Sequence, residues 1–328
     1  MRLIKGAKIA YFDSNRFRYW LHKKIGTKFK PKAFNLPLMV LLEPVFYCNF
    51  SCIHCPYSII SNKPEFKKSF MDFDLYKKII DEISQFNNVT LRPFDRGEAL
   101  FNPQLSQMIK YAKEKGIKNI WLNTNGSILT SQKSKELLES GLDLLEVSID
   151  AFTEDTFSKI KGVDGKILRK VKKNTIEYFR LKNKLYPDDS TKKLIVSFVE
   201  SEINTSEKDA FIKFWKNYSD RVRVRPFHQH GRLIKENLRT KKKKKEKVER
   251  LPCSILWKRV SIDYCGNLRF CELDWENKGI MGSVKNSSIK EIWTSKEYKR
   301  LRRLHTDKRF SEIPLCSICE SYNEEGGW

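Results

Sequence analysis

Between residues 36 and 225 the chain alternates short apolar runs with amphipathic stretches, and that alternation admits few folds. Residues 38–46 read as a buried strand, and further strand-length runs follow at 89–93, 120–123, 144–150, 194–199 and 221–225. Helix signals separate them. Asp72 is placed to cap a helix whose apolar face is Leu75, Ile79, Ile83 and Phe86. Asn102-Pro103 opens a second helix that Gly116 closes, and residues 131–140 form a third that ends at Gly141. Helical stretches follow at 153–160 and 166–185, and Ser206 precedes another that carries Phe211, Phe214, Trp215 and Tyr218. Six strands separated by helices predict right-handed βαβ units and a parallel sheet. The expected fold is therefore α/β, a partial (β/α)6 TIM-like barrel with its active site at the C-terminal ends of the strands.

The expected organisation is a basic N-terminal extension over 1–36, a barrel over 37–235, a lysine-rich linker over 236–250 and a small cysteine-rich domain over 251–328. The extension is basic and aromatic and has no assigned role. The linker contains the 241–245 lysine run, whose like charges repel and which has no apolar period. Apolar runs stay well short of the roughly 20 residues that cross a bilayer. Lys5, Lys8 and Asp13 interrupt any apolar stretch near the N-terminus, so a cytoplasmic location is the expectation.

Lysine and arginine total 64 against 40 acidic residues, a formal charge of +24. Two readings compete: a lysine-rich solvated surface, and an anionic partner. No zinc-finger or RNA-recognition signature accompanies the charge, so nucleic acid is not expected as a partner. The 8 cysteines are more telling. Three fall at 48, 52 and 55 and the rest follow residue 250, and such clusters in a reducing compartment indicate metal or catalysis before disulfides.

The first cluster follows the first strand directly, as Cys48-Asn49-Phe50-Ser51-Cys52-Ile53-His54-Cys55. Three thiolates on one short loop can ligate three irons of a 4Fe–4S cube, which leaves the fourth iron open. Structural zinc is the alternative. It needs a fourth ligand, and His54 adjoins Cys55 and should point elsewhere.

This spacing resembles the signature of the radical S-adenosylmethionine (SAM) superfamily. The resemblance implies that the open iron chelates the amino and carboxylate groups of SAM, and that one electron releases a 5′-deoxyadenosyl radical that abstracts a substrate hydrogen. It extends to the next strand ends. Arg96-Gly97-Glu98-Ala99 is similar to the family's Gly-Gly-Glu-Pro loop, which carries over Gly97 and Glu98 as SAM-binding residues. Asn123-Thr124-Asn125-Gly126 looks like its Thr-Asn-Gly turn and implicates Asn125. At the fourth strand, Ser148 and Asp150 share one side by the period of two, where the family binds the SAM ribose and carboxylate. Singly, each also reads as a turn or a cap.

In the C-terminal region, Cys253 and the Gly266-to-Cys271 spacing resemble the opening of the SPASM auxiliary-cluster domain. Too few cysteines remain for the full seven-cysteine module. The pattern is similar to the shortened "twitch" form of the 2-deoxy-scyllo-inosamine dehydrogenase type, which implies one auxiliary 4Fe–4S cluster on Cys253, Cys271, Cys316 and Cys319, with Cys265 a spare thiol. Zinc on the same four remains an alternative. A fully ligated cluster suits electron transfer and hence an oxidation. The expected reaction is dehydrogenation of a sugar- or aminocyclitol-like metabolite, with flavodoxin or ferredoxin as reductant. Peptide modification is a second reading, disfavoured by an N-terminal segment without the strand pattern of a peptide-recognition domain. A non-enzymatic zinc or iron–sulfur protein that binds nucleic acid is a third. Residues His228, His230 and Arg232, after the sixth strand, are candidates for taking a substrate proton or gripping an anion.

Overall fold

The computed structural model describes residues 18, 31–86, 88–227, 230, 233–234 and 250–319. The basic extension before residue 31, apart from Arg18, lies outside these residues, and so do the 241–245 run and the candidates His228 and Arg232. Among the described residues eleven strands are present: β1 (Met39–Leu42), β2 (Val45–Phe46), β3 (Ser69–Phe70), β4 (Thr90–Arg92), β5 (Asn119–Thr124), β6 (Leu144–Ser148), β7 (Lys193–Glu200), β8 (Arg221–Pro226), β9 (Arg259–Ile262), β10 (Asn267–Arg269) and β11 (Ile280–Ser283). Nine of them form one sheet in the order β11-β10-β9-β1-β4-β5-β6-β7-β8, and its six strands from β1 to β8 are all parallel. That is the expected α/β partial barrel.

The helices between these strands follow local chemistry. Asp72 caps the helix Phe73–Ile83 by accepting from the Asp74 and Leu75 amides at 3.0 and 2.9 Å. The helix then buries Leu75, Tyr76, Ile79, Ile80 and Ile83 against the sheet. Gly162, in the left-handed region at φ 63°, ends the helix Glu154–Lys161.

Two features depart from the sequence expectation. The single strand over 38–46 is two, because Glu43-Pro44 breaks the ladder: proline has no N–H to donate. After the break, β2 leaves the main sheet and pairs antiparallel with β3. The C-terminal segment also joins the barrel sheet: β9 lies parallel beside β1, and β10 and β11 extend it antiparallel.

A buried ionic knot fastens this junction. Arg96 is 1 % exposed and Glu43 is fully buried. The guanidinium donates through Nε and Nη2 to the two Glu43 oxygens at 2.8 and 2.9 Å. Its Nη1 reaches the Trp275 carbonyl and Asn277 Oδ1, both at 3.0 Å, on the C-terminal segment. Beside it, Arg269 of β10 pairs with Asp95. Removing one partner of a buried pair leaves a desolvated charge. Arg96→Met should therefore destabilise the protein by about 3–5 kcal/mol, seen as a fall in the urea midpoint. The double variant Glu43→Leu/Arg96→Met should recover most of that loss.

Candidate functional site

The structure brings the first three cysteines and the loops after β4, β5 and β6 together at the C-terminal ends of the strands. The cysteine loop leaves β2 and is pinned from below. Ser51 and Ile53 donate backbone N–H groups to the carbonyls of Lys161 and Ile160 at 3.1 and 2.9 Å. Phe50 is 2 % exposed and meets Phe157 edge to face at 6.0 Å. Gly162 allows this approach, since a Cβ there would lie 2.4 Å from the Ser51 carbonyl oxygen.

Gly97 lets the β4 loop close over the same segment. A Cβ on it would stand 2.6 Å from Val45 O and 2.8 Å from Tyr47 O, and its φ of +97° suits glycine alone. The next residue, Glu98, donates its amide to Tyr47 O at 2.7 Å. The Glu98 carboxylate accepts from Thr124 Oγ1 at 2.7 Å, from the Asn125 amide at 2.6 Å and from the Leu100 amide at 3.2 Å. It thus joins the β4 and β5 loops and has about one of its four acceptor positions left. Asn125 in turn donates Nδ2 to Asn49 Oδ1 at 2.9 Å and approaches Cys48 Sγ at 4.0 Å.

Ser148 and Asp150 are neighbours, as the period of two implies. Ser148 Oγ donates to Asp150 Oδ2 at 2.8 Å. The group that organises them is Lys161, which sequence reasoning missed. This lysine is 1 % exposed, and its Nζ donates to Asp150 Oδ2 at 2.5 Å and to Ser148 O at 3.0 Å. At the end of an amphipathic helix it reads as a solvated residue, and its only signal is the following Gly162. Burial opposes ionisation at both ends of the pair, yet their mutual attraction wins: Asp150 stays below and Lys161 above its ordinary range. His54 points at Asp150, with Nε2 at 3.7 Å from Oδ2, and burial lowers its pKa to about 4.

Burial raises all three thiols of the loop, Cys55 to about 12, and charge on neighbouring cysteines adds to the effect at Cys48 and Cys55. Crowded thiolates of this kind suit a cationic cluster, which reverses the local preference and deprotonates its ligands. Among the described residues no three His, Cys, Asp or Glu side chains converge on a point where one metal ion fits. A four-iron cube asks for a wider set, since each thiolate meets a different iron.

The second cysteine set lines a cavity of about 60 Å³ formed by Cys253, Cys271, Cys316 and Cys319 with His305 and Arg250. Cys265 is exposed on the β9–β10 turn and is not among its walls. Burial lifts Cys253 to about 11 and Cys316 to about 12. His305 was not legible in the sequence, where it closes a basic helix. The Cys253 amide donates to its Nδ1 at 3.2 Å, so the neutral ring carries its proton on Nε2, 3.3 Å from Cys316 Sγ. An N–H aimed at sulfur is a second-sphere feature of metal-thiolate sites. His230 sits beyond β8 with Nδ1 accepting from Trp275 Nε1 at 3.3 Å.

A Radical SAM superfamily model matches residues 42–184, and a model of the SPASM iron–sulfur cluster-binding domain matches residues 253–320. The chain belongs to the radical SAM superfamily. As a radical SAM protein with a SPASM domain it uses SAM and 4Fe–4S clusters. It is 29 % identical over 131 residues to the AdoMet-dependent heme synthase of Methanosarcina barkeri, a match covering 40 % of this chain and 36 % of that protein. The match thus spans about a third of that relative's length. Among solved structures, Streptococcus suis SuiB bound to S-adenosylmethionine superposes with a TM-score of 0.67 at 14 % identity, covering 93 % of this chain and 76 % of SuiB. BtrN in complex with AdoMet and 2-DOIA gives 0.59 at 18 % identity, over 89 % of this chain and 97 % of BtrN. At such identities the likeness is one of fold. No helix among the described residues is long and apolar enough to cross a membrane.

Lys161→Met would leave Asp150 buried without its cation. A loss of about 3–5 kcal/mol is expected, together with weakened SAM binding in equilibrium dialysis. Lys159→Met, two residues away on the exposed side, should leave both unchanged.

Proposed function

We propose that this radical SAM enzyme removes a hydrogen from a small metabolite of the sugar or aminocyclitol kind and completes a two-electron oxidation. The observation that carries the reading is the pairing of two cysteine sets of different character, one on the loop after β2 and one lining a cavity beside β9 and β10. Cys48, Cys52 and Cys55 would hold a cluster with one open iron, beside Gly97, Glu98, Asn125, Ser148 and Asp150. Cys253, Cys271, Cys316 and Cys319 would hold a second with no open position. When bound, the first cluster supplies the electron that cleaves SAM to the hydrogen-abstracting 5′-deoxyadenosyl radical, and the second accepts an electron.

The chain's own residues position and exclude. Gly97 lets backbone close on the segment before Cys48, and Glu98 and Asn125 lock the β4 and β5 loops around it. The Lys161–Asp150–Ser148 group fixes the β6 rim. His305 presents an N–H to Cys316, which favours the reduced state of a cluster bound there by offsetting added negative charge. Alcohol oxidation also needs an acceptor for the hydroxyl proton, a role proposed for His228 or His230, with Arg232 to hold an anionic group. Flavodoxin or ferredoxin is the proposed reductant.

Anaerobically reconstituted protein should contain two 4Fe–4S clusters by iron and sulfide analysis and should form 5′-deoxyadenosine with dithionite. Replacing Cys48, Cys52 or Cys55 by Ala should abolish that product. The Cys316→Ala/Cys319→Ala variant should retain one cluster and still cleave SAM, but should lose substrate oxidation. Zinc in place of iron, or SAM cleavage by the Cys48→Ala variant, would overturn the assignment.

A further inference from the structure

The inward side of the barrel holds a cluster of charge that neither cysteine set uses. Trp121 on β5 and Arg223 on β8 are separated in the sheet by β6 and β7, roughly 14 Å at ordinary strand spacing. The Arg223 guanidinium nevertheless lies 4.8 Å from the indole centroid, a distance reached only across the concave face. Arg92 of β4 lies over the same ring at 4.6 Å. On that face Arg223 and Arg225 share the fully buried Glu146 of β6, each at 2.7 Å. Arg259 of β9 pairs with Glu272 at 2.8 Å, and Arg92 reaches the same carboxylate only at 4.0 Å.

Four guanidiniums therefore face two carboxylates among the described residues, Arg92, Arg223, Arg225 and Arg259 against Glu146 and Glu272, a surplus of 4 − 2 = 2 positive charges. Burying cations without matching anions is unfavourable by several kcal/mol, so a surplus on an inward face calls for an anion from elsewhere. Hydrogen bonding points the same way. Buried donors at Arg92 Nε, Trp121 Nε1 and Ser261 Oγ have no acceptor, and Ser261 is 1 % exposed. In register, Ser261 stands opposite Leu41, and Leu41 opposite Arg92, so two of these donors lie at one level of the barrel. The acceptors there without hydrogen bonds are Asn123 Oδ1 and carboxylate oxygens already within ion-pair reach of Arg225 and Arg92. Positive charge is in excess, and three buried donors stand ready for an added acceptor.

The cluster also reaches the rim. Arg225 pairs in register with Val199, whose amide donates to Asp150 Oδ1 at 2.7 Å. Arg225 retains 38 % side-chain exposure and Arg223 retains 20 %, which leaves them accessible from the barrel mouth. Adjacent planar guanidiniums bind phosphate or carboxylate oxygens in pairs. We propose that Arg92, Trp121, Arg223 and Arg225 form a substrate-anchoring site inside the barrel, so that the molecule oxidised carries a phosphate or carboxylate group held below the cysteine loop. This rests on the proposed oxidation of a small molecule at the barrel mouth and narrows its substrate to an anion. The cations strain one another in support: burial lowers Arg92 to about 10, with Arg259 and Arg225 adding to the effect against Glu272 and Glu146.

The test is isothermal titration calorimetry on reconstituted enzyme with SAM bound, using inorganic pyrophosphate and, separately, tricarballylate, to tell phosphate from carboxylate. At least one probe should bind. Arg92→Gln and Arg223→Gln should each weaken it about tenfold or more, Arg92→Lys should weaken it less than Arg92→Gln, and the surface variant Lys290→Gln should match the wild type. Iron content and circular dichroism establish that each variant is folded. Failure of both probes to bind the wild type, or equal binding by the folded Arg92→Gln and Arg223→Gln variants, would overturn the proposal. Dithionite-driven 5′-deoxyadenosine formation without substrate, measured on the same samples, reads the function separately. It should persist in the surface variant Lys290→Gln, and its absence from the wild type would count against the enzyme reading while leaving the anion result intact.

Discussion

The bidentate contact between Arg96 and Glu43 is the constraint on which the rest of the site depends. It ties the end of β1, the loop that carries Gly97 and Glu98, and the C-terminal segment at Trp275 and Asn277 into one rigid junction. Phe46 and Phe66 lie within 5.3 and 5.5 Å of the guanidinium and exclude water from it. Burial pushes the Glu43 carboxyl up to about 7, and Arg96 pulls against that rise. Such a pair is tolerable in a dry interior because each of the three guanidinium nitrogens has an acceptor. Both cysteine sets are placed relative to this junction, one just after β2 and the other drawn from Cys253 before β9, Cys271 after β10 and Cys316 and Cys319 near the C-terminus.

Above the junction, position is set by close backbone approach more than by side-chain bonds. Gly97 and Gly162 each admit a neighbouring carbonyl to a distance that a Cβ would forbid, one on either side of the cysteine loop. The loop is thus held between the β4 rim and the end of the helix Glu154–Lys161. Lys161 then links that helix to Asp150 and Ser148, and Glu98 links the β4 and β5 rims.

The parallel strands, the cysteine loop and the gathering of Gly97, Glu98, Asn125, Ser148 and Asp150 were legible because each depends on local pattern: period two, short-range spacing, glycine at tight turns. What escaped was set by distant parts of the chain. Lys161 and His305 lie on helices whose composition reads as solvated, and only tertiary packing buries them. The split of the 38–46 run follows from Pro44, a local signal, but the partner β3 lies more than twenty residues away. The pairing of β9 with β1 joins segments about 220 residues apart, beyond any periodicity. Arg96, which with Ala99 is where the loop departs from the Gly-Gly-Glu-Pro pattern it resembles, turns out to be the junction itself.

The central claim is that Cys48, Cys52 and Cys55 leave one iron open to SAM while the second cysteine set leaves none. Electron paramagnetic resonance of the anaerobically reconstituted, dithionite-reduced protein, with and without SAM, tests this most directly. The account predicts two overlapping reduced-cluster signals, of which one shifts on SAM addition and is the sole signal left in the Cys316→Ala/Cys319→Ala variant. A spectrum that SAM leaves unchanged, or a shift that survives Cys52→Ala, would contradict it.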